Sequence, residues 1–296
     1  MTIVIAGGSG FLGQKLVQAL TRGGHHARIL TRKPAQTPTE ITWQPDGTAG
    51  SLAPHLNAID AVVNLAGENI AGGRWSAARK ERLRRSRILA TRTLTSAIAQ
   101  CETPPKTFVS ASGVGYYGPH GDEPVTEATP PGSDFFGRLC VDWEQEARAV
   151  TPATRLLIVR SGLALAGDGG ALKKMLLPFK LGLGATLGSG RQFFPWIHAD
   201  DWTAMVMWMI ENNGVSGVFN ATSPNPVTNR TFTRTLGRVL NRPAVFYAPA
   251  FVLRAALGEL SEALLTGQRA VPARAGQLGF RFTHPELEPA LRSLNL

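Results

Sequence analysis

The chain has 296 residues, of which 43% are hydrophobic and 18% are charged, a composition typical of a folded globular protein. Its two cysteines, Cys101 and Cys140, exclude a disulfide scaffold and a zinc module. They favour a reducing compartment, so we expect a cytoplasmic protein. No apolar run reaches the ~18–20 residues that a membrane span needs, and no signal peptide is expected before the first strand. We therefore expect no membrane among its partners.

The formal net charge of +10 allows nucleic acid or an anionic metabolite as a partner. Part of the excess lies in the basic cluster Arg79–Arg87. The cluster is consistent with a solvated helix face and equally with part of a pocket for a phosphorylated ligand. Nucleic acid is disfavoured, because no recognition motif accompanies these residues.

Short apolar runs alternate with amphipathic stretches along the first half of the chain. Strands are predicted at residues 2–6, 27–31, 61–65, 107–110 and 156–160. Helices are predicted at residues 11–22, at 76–99 and after Asp134, a suitable N-cap. Strands that are apolar on both sides are typical of parallel sheets covered on two faces. The pattern therefore predicts an α/β fold with a doubly wound parallel sheet.

The turn after the first strand carries three glycines, Gly7, Gly10 and Gly13, and opens the first predicted helix. This spacing permits a tight turn, a close approach of backbone to a pyrophosphate, and close packing of the helix on the strand. The helix N-terminus then faces the negative charge. We predict that the cofactor phosphates contact the residues Gly7, Ser9, Gly10, Phe11, Leu12 and Gly13.

The end of the second strand indicates which dinucleotide binds. An NAD site usually places an acid there, to accept from the ribose hydroxyls. This chain has Thr31, Arg32 and Lys33 instead. Arg32 offers a planar fork to a 2′-phosphate and Thr31 offers a hydroxyl, so NADP(H) is predicted as the cofactor.

Beyond about residue 166 the chain becomes rich in glycine and proline, which indicates short elements. Residues 196–220 again have the pattern of strand, helix and strand, and are expected to return to the main sheet. We predict a dinucleotide-binding domain over 1–165, to which 195–222 return. A smaller, interleaved substrate lobe is predicted over 166–194 and 223–296.

With these features the sequence resembles the extended short-chain dehydrogenase/reductase superfamily, in its NAD-dependent epimerase/dehydratase group. The ending resembles a poorly characterised epimerase-family branch with a small C-terminal module of unknown function. The resemblance implies a Rossmann-type sheet. It is carried by the glycine motif and by Asn64-Leu65-Ala66-Gly67, Ser110-Ala111-Ser112, Tyr117-Gly118, Pro124-Val125-Thr126-Glu127, Arg160-Ser161-Gly162, Trp196-Ile197-His198-Ala199-Asp200-Asp201, Gly72-Gly73-Arg74-Trp75 and Leu264–Pro272.

The resemblance also implies roles for particular residues. Leu65, Ala66 and Gly67 would line the adenosine side, and the segment from Ser110 to Ser112 would lie beside the nicotinamide. The same resemblance places a loop under the nicotinamide carboxamide, led by Arg160, Ser161 and Gly162.

The superfamily's usual chemistry uses a Tyr, a Lys one helical turn later and a Ser or Thr that holds the reacting oxygen. Ser112 suits the last role. Phe136 and Cys140 stand where the Tyr and the Lys are expected, so that pair is missing. We hypothesise that Tyr116 or Tyr117 supplies the acid/base or binding hydroxyl, the alternative being two partly buried ring contacts.

The sequence-based expectation is an NADP-dependent, epimerase-like oxidoreductase that transfers hydride at a carbon bearing oxygen, with a sugar-nucleotide-like substrate as the family guess. The alternative is a non-catalytic NADP(H)-binding redox sensor or regulatory protein. We expect a small-molecule substrate and no metal, and a homodimer remains open. His198 is expected to cap a helix and Glu127 to be a cap or loop acid. An anionic substrate would meet Lys173, Lys174 and Arg191, unless these face solvent.

Overall fold

The computed structural model describes residues 1–296. Its strands are β1 Thr2–Ala6, β2 His26–Thr31, β3 Glu40–Thr42, β4 Ala61–Asn64, β5 Thr107–Gly113, β6 Pro124–Val125, β7 Arg155–Ser161, β8 Leu163–Leu165, β9 Ala185–Leu187, β10 Phe193–Phe194, β11 Trp196–His198, β12 Gly217–Ala221, β13 Val227–Thr228, β14 Phe246–Ala248 and β15 Arg269–Ala270.

The helices are α1 Phe11–Arg22, α2 Ala53–Leu56, α3 Ala77–Ala99, α4 Phe135–Arg148, α5 Gly170–Lys180, α6 Ala199–Glu211, α7 Asn229–Val239, α8 Ala250–Leu257, α9 Glu262–Leu265, α10 Ala273–Gln277 and α11 Leu287–Ser293. None of them combines the length and the apolar character that crossing a bilayer requires.

Seven strands form the central sheet, in the order β12-β7-β5-β4-β1-β2-β3, and every neighbouring pair is parallel. The doubly wound α/β fold is therefore confirmed. The five predicted strands match β1, β2, β4, β5 and β7 to within three residues at either end. The short edge strand β3 was not predicted, because three residues carry too little periodicity to be recognised.

Local signals place the main helices where the sequence predicts them. Ser76 caps α3 by accepting a hydrogen bond from the Arg79 backbone N–H, and Asp134 caps α4 by accepting from the Gly137 N–H at 2.8 Å. These caps satisfy N–H groups that have no partner inside the helix.

The segment 196–220 forms a strand, a helix and a second strand. β12 joins the main sheet beside β7, whereas β11 pairs with β8 outside that sheet. Between them α6 buries Trp202, Met205 and Met209 against one face of the sheet. The division into two lobes stays a prediction.

A buried ion pair joins α4 to the sheet. Glu144 on α4 and Arg160 at the end of β7 are 3% and 2% exposed. Arg160 donates from Nε and Nη2 to the two carboxylate oxygens of Glu144, at 2.8 and 2.9 Å. Two parallel hydrogen bonds of this kind fix orientation as well as distance.

A pair of stacked imidazoles joins α6 to the C-terminal segment. His198 caps α6, as predicted, by accepting the Asp200 backbone N–H at Nδ1 over 3.1 Å. The rings of His198 and His284 lie 4.0 Å apart, and the Asp201 carboxylate accepts the backbone N–H groups of Thr283 and His284. A ring nitrogen of His198, a ring nitrogen of His284 and a carboxylate oxygen of Asp200, all atoms of the kind that can bind a metal ion, lie within 4.8 Å of one another. The positions of these residues in the sequence do not indicate this grouping.

We expect Glu144→Gln to lower the free energy of unfolding by about 3–5 kcal/mol, because it leaves the Arg160 charge buried without a counter-charge. The matched control is Glu146→Gln on the same helix. Glu146 pairs with the exposed Arg92 at the surface, so its loss should cost less than about 1 kcal/mol. Urea unfolding measures both, and equal effects would contradict the buried-pair argument.

The stability of the protein should fall as the pH drops below about 6.5 in part through His198. Burial, and then the neighbouring His284, lower the pKa of His198 despite the nearby Asp200 and Asp201. The unfolded chain therefore binds the proton more readily, and the stabilisation present above pH ~6.5 is lost as the pH falls toward the folded-state pKa.

Melting temperatures of the parent and of His198→Asn, measured from pH 7.5 to pH 5, test this. The parent should lose more stability than the variant over that range, since asparagine still caps a helix without titrating. His55→Asn, at an exposed histidine, should follow the parent.

Candidate functional site

The loop between β1 and α1 and the first turn of α1 are packed too closely for side chains at Gly7 and Gly13. Gly7 has a φ of +79°, and a Cβ there would lie 2.7 Å from the backbone of Leu65 at the end of β4. A Cβ on Gly13 would lie 2.2 Å from the Gly7 carbonyl oxygen. The loop therefore sits directly on the carboxyl end of the sheet, with α1 pressed against it.

The N-terminus of α1 is open to a ligand. Its N-cap, Gly10, has no side chain to accept a hydrogen bond, and the first turn carries no acid. Ser9 and Gly10 are exposed, while Phe11 and Leu12 are half-buried. Unpaired N–H groups at the positive end of a helix dipole suit a pyrophosphate.

The end of β2 supplies a cation without a partner. Arg32 is exposed and makes no hydrogen bond or ion pair, and no acid lies beside it in sequence. The Thr31 hydroxyl accepts the Lys33 backbone N–H at 3.2 Å and remains half-exposed. The free guanidinium of Arg32 and the hydroxyl of Thr31, with no carboxylate beside them, fit a ribose that carries a 2′-phosphate better than a ribose with two free hydroxyls.

Residues of β4 and α3 fix the position of the turn after β4. The buried Asn64 accepts the Ala66 N–H at 3.1 Å, which leaves Leu65, Ala66 and Gly67 at the surface of the cleft. Arg87 packs under Gly67 and donates to the Glu68 carbonyl at 3.1 Å. The turn is thus presented to the cleft by contacts with β4 and α3.

At the nicotinamide end of the expected site, the hydroxyls of Ser112 and Ser161 form hydrogen bonds within the protein. Ser112 is buried and donates its hydroxyl to Glu144 at 2.8 Å, and Ser110 is buried on the same strand. The Ser161 hydroxyl accepts the Trp202 indole N–H at 2.9 Å. Ser112 would have to leave Glu144 to hold a substrate oxygen, so its catalytic role stays a prediction.

The two adjacent tyrosines have different environments. Tyr117 is buried, donates to Asn220 at 2.6 Å and accepts from Arg160 at 3.0 Å, and burial raises its pKa to about 12. Tyr116 is half-buried, with its ring centroid 3.3 Å from the guanidinium carbon of Arg160, and its hydroxyl makes no hydrogen bond within the protein. Tyr116 is therefore the tyrosine that offers a hydroxyl to a ligand.

Apolar groups stand where a phenol and an ammonium are expected. Cys140 is buried, its thiol lies 3.7 Å from the Gly113 carbonyl oxygen, and burial raises its pKa to about 11. Phe136 packs edge-on against Trp75, with ring centroids 4.9 Å apart. Neither of these two side chains carries a positive charge or an acidic hydroxyl.

The basic cluster Arg79–Arg87 is divided between the interior and the solvent. Arg79 and Arg87 are buried, whereas Arg82, Arg84 and Arg85 are exposed, so one side of the cluster is the solvated helix face that the sequence allows. Arg87 lies over the Trp143 ring at 5.2 Å, a cation–π contact. Ion pairs within the protein join Arg79 to Glu68, Lys80 to Glu259 and Arg84 to Asp142.

The loop 68–75 contacts the helices α5 and α8. Lys174 on α5 donates to the Ala71 carbonyl at 3.3 Å, and Arg74 donates to the Ala255 carbonyl on α8 at 3.2 Å. The pair of Lys80 with Glu259 adds a third contact close by. Of the predicted anion-binding cations, Lys174 is thus engaged at the mouth of the cleft.

Sequence reasoning missed the network behind the tyrosines. The side chain of Asn220 on β12 accepts a hydrogen bond from the Tyr117 hydroxyl, and the backbone N–H of Asn220 donates to Glu127 at 3.0 Å. Glu127 also accepts the Arg274 backbone N–H, which joins α10 to the sheet. The sequence does carry one signal for this network, since charged residues stand at positions where the pattern calls for apolar ones. Glu144 lies on the buried stripe of α4, and Arg160 lies near the end of an apolar strand.

Comparisons with known proteins agree with this geometry. The NAD dependent epimerase/dehydratase family matches residues 3–222, and a domain of unknown function (DUF1731) matches residues 248–294. The chain is 42% identical to the bovine epimerase family protein SDR39U1, over 99% of both chains. It is 41% identical to the epimerase family protein YfhF of Bacillus subtilis, over 99% of this chain and 98% of that protein.

Solved structures extend the similarity to three dimensions. The human epimerase family protein SDR39U1 (isoform2), crystallised with NADPH, has a TM-score of 0.93 and 40% identity, over 99% of both chains. A nucleoside-diphosphate sugar epimerase from Corynebacterium glutamicum has a TM-score of 0.81 and 32% identity, over 99% of this chain and 58% of that one. The chain belongs to the NAD dependent epimerase/dehydratase family and carries the C-terminal domain of its epimerase-family-protein branch.

Proposed function

We propose that this protein binds NADP(H) along the carboxyl ends of the central sheet. The observation that carries the proposal is the unpaired Arg32 at the end of β2, on the same edge of the sheet as the uncapped N-terminus of α1. The pyrophosphate would lie on the helix N-terminus and the 2′-phosphate on Arg32. The NADPH bound by the human relative supports the same choice of dinucleotide.

For the role of the bound dinucleotide, the geometry favours a protein that does not use the superfamily's usual proton exchange. Phe136 and Cys140 hold no proton that they could transfer near neutral pH, and the charge of Arg160 is neutralised by Glu144. Binding of NADP(H) without that chemistry fits a redox sensor or a regulatory protein. Such a protein needs the phosphate contacts and not the Tyr/Lys pair.

Arg32→Ala should weaken NADPH binding by about 10–100-fold, the value of one or two hydrogen bonds between charged groups. NADH binding should be unchanged, because NADH has no 2′-phosphate. Isothermal titration of NADPH and NADH measures both. Arg22→Ala, at an exposed arginine at the far end of α1, is the control and should alter neither. An equal loss for both dinucleotides would remove the assignment of Arg32.

A second candidate is hydride transfer at a carbon bearing oxygen, and the free hydroxyl of Tyr116 favours it. When bound, the nicotinamide supplies or accepts the hydride. In the reducing direction Tyr116 would donate its proton to the substrate oxygen as the carbon gains hydride, so that a carbonyl becomes an alcohol. The guanidinium of Arg160, held by Glu144, fixes the plane of the Tyr116 ring.

If this protein is a reductase, Tyr116→Phe should lower turnover by about 100-fold or more, the usual contribution of a general acid. Tyr117→Phe should lower turnover far less and act on stability, because the Tyr117 hydroxyl is buried between Asn220 and Arg160. Loss of NADPH absorbance with a panel of carbonyl compounds, including nucleotide sugars, provides the assay. No turnover with any of them by an NADPH-binding protein leaves the regulatory candidate.

A further inference from the structure

The positive charge of the chain is concentrated in the smaller lobe. Segments 169–194 and 223–258 together contain nine Lys and Arg residues and no Asp or Glu. This excess of nine compares with +10 for the whole chain. Only Arg238 and Arg254 form ion pairs, with Glu288 and Glu262. The other seven cations form no ion pair within 4.0 Å, namely Lys173, Lys174, Lys180, Arg191, Arg230, Arg234 and Arg242.

The same lobe exposes large apolar side chains. Val245 and Phe251 are 80% and 73% exposed, and α8 buries none of its residues. Eight of the ten exposed large apolar residues of the chain belong to this region: Leu177, Leu181, Leu183, Val245, Phe246, Tyr247, Phe251 and Val252. A monomeric protein that exposes so many apolar groups together usually uses them for contact.

These residues form one continuous surface. β14 pairs with β9, Arg242 donates to the Lys180 carbonyl at 3.0 Å, and Pro243 packs against Gly182. The loop 181–183 therefore lies beside strand β14, and α8 follows directly. We call the exposed side of α5, the loop 181–183, β14 and the start of α8 the basic apolar face.

Cations and apolar groups are interleaved on this face. Along α5 and its C-cap the exposed residues Lys173, Leu177, Lys180 and Leu181 follow helical spacing, on the side away from the buried Leu172 and Phe179. Next to β14 a cavity of about 460 Å³ is lined by Arg230 and Arg234, one turn apart on α7, together with residues 244–247. The cavity offers two guanidinium groups to a phosphate at the foot of the apolar side chains.

We propose that the basic apolar face docks on the surface of an anionic bilayer. Its Leu, Val, Phe and Tyr side chains enter the headgroup layer, the unpaired cations face anionic lipids, and Arg230 with Arg234 holds a lipid phosphate. No spanning helix is needed for such a contact. The sequence-based expectation that no membrane takes part considered only spans and targeting signals.

The charge and the shape of the basic apolar face favour a bilayer over two other binding partners, a second copy of the chain and an acidic peptide. A second copy of the chain would bring an equally positive face against this one, which is unfavourable. An acidic peptide would meet the charge requirement. However, the most exposed apolar groups, Val245, Leu177 and Phe251, protrude from the surface, where a bilayer interface accepts them more readily than an extended chain does.

The experiment is co-sedimentation of the full chain with phosphatidylcholine vesicles that contain 0 or about 30% phosphatidylserine, a content that gives a negative surface potential. We expect at least tenfold more protein bound to the anionic vesicles, and release in high salt. Arg230→Gln with Arg234→Gln should reduce binding about tenfold. Val245→Ser with Phe251→Ser should reduce it similarly without a change of charge.

Two controls keep the outcome decisive. Arg22→Gln with Arg281→Gln removes two exposed cations elsewhere, and Leu278→Ser removes an exposed apolar side chain outside the face; both should bind like the parent. NADPH titration checks that each variant is folded. Failure to bind anionic vesicles at low salt, equal losses in the controls, or capture by polyglutamate in place of vesicles would overturn the proposal. None of these outcomes bears on the NADP(H) site.

Discussion

The buried ion pair between Glu144 and Arg160 determines where the polar groups at the ends of β5 and β7 can point. Arg160 is held by both oxygens of Glu144, so its remaining amino group reaches Tyr117 and its flat face covers Tyr116. Ser112 donates to the same carboxylate. A charge buried this deeply needs its partner, because either group alone would lie in a low-dielectric interior without compensation.

This arrangement limits the chemistry of the cleft. The hydroxyl of Ser112 donates to Glu144 and that of Tyr117 to Asn220, and the charge of Arg160 is neutralised by Glu144. Phe136 and Trp75 form an aromatic wall where proton exchange would require polar groups. The opposite end of the cleft has an uncapped N-terminus of α1 and the unpaired Arg32. The features proposed for dinucleotide binding and those that proton exchange would need therefore lie on different elements of the fold.

The parallel sheet and the close-packed glycine turn after β1 could be predicted because their signals are local. Apolar strands, caps at Ser76 and Asp134, and glycines three residues apart can each be recognised within a short window. The roles of Ser112, Tyr116 and Tyr117 depend instead on partners distant in sequence. Tyr117 meets Asn220 across 103 positions. No spacing rule indicates which of two adjacent tyrosines finds such a partner.

The same reason explains the basic cluster. The sequence does not indicate which of its basic residues are buried or which acids they meet, and one of those acids, Glu259, lies far along the chain. The pairing of β11 has a related cause. Its sequence is apolar and strand-like, but its register with β8, outside the main sheet, is set by tertiary packing.

The contacts that hold the loop 68–75 to the smaller lobe have a kinetic consequence. Lys174 and Arg74 attach this loop to α5 and to α8, and Lys80 near the start of α3 adds a contact to the turn that follows α8. The loop can move away from α5 and α8 only when these surface contacts open. A ligand bound at the turn after β4 would then exchange at a rate set by that opening, and anything that restrains α5 or α8 would slow the exchange without touching the ligand itself.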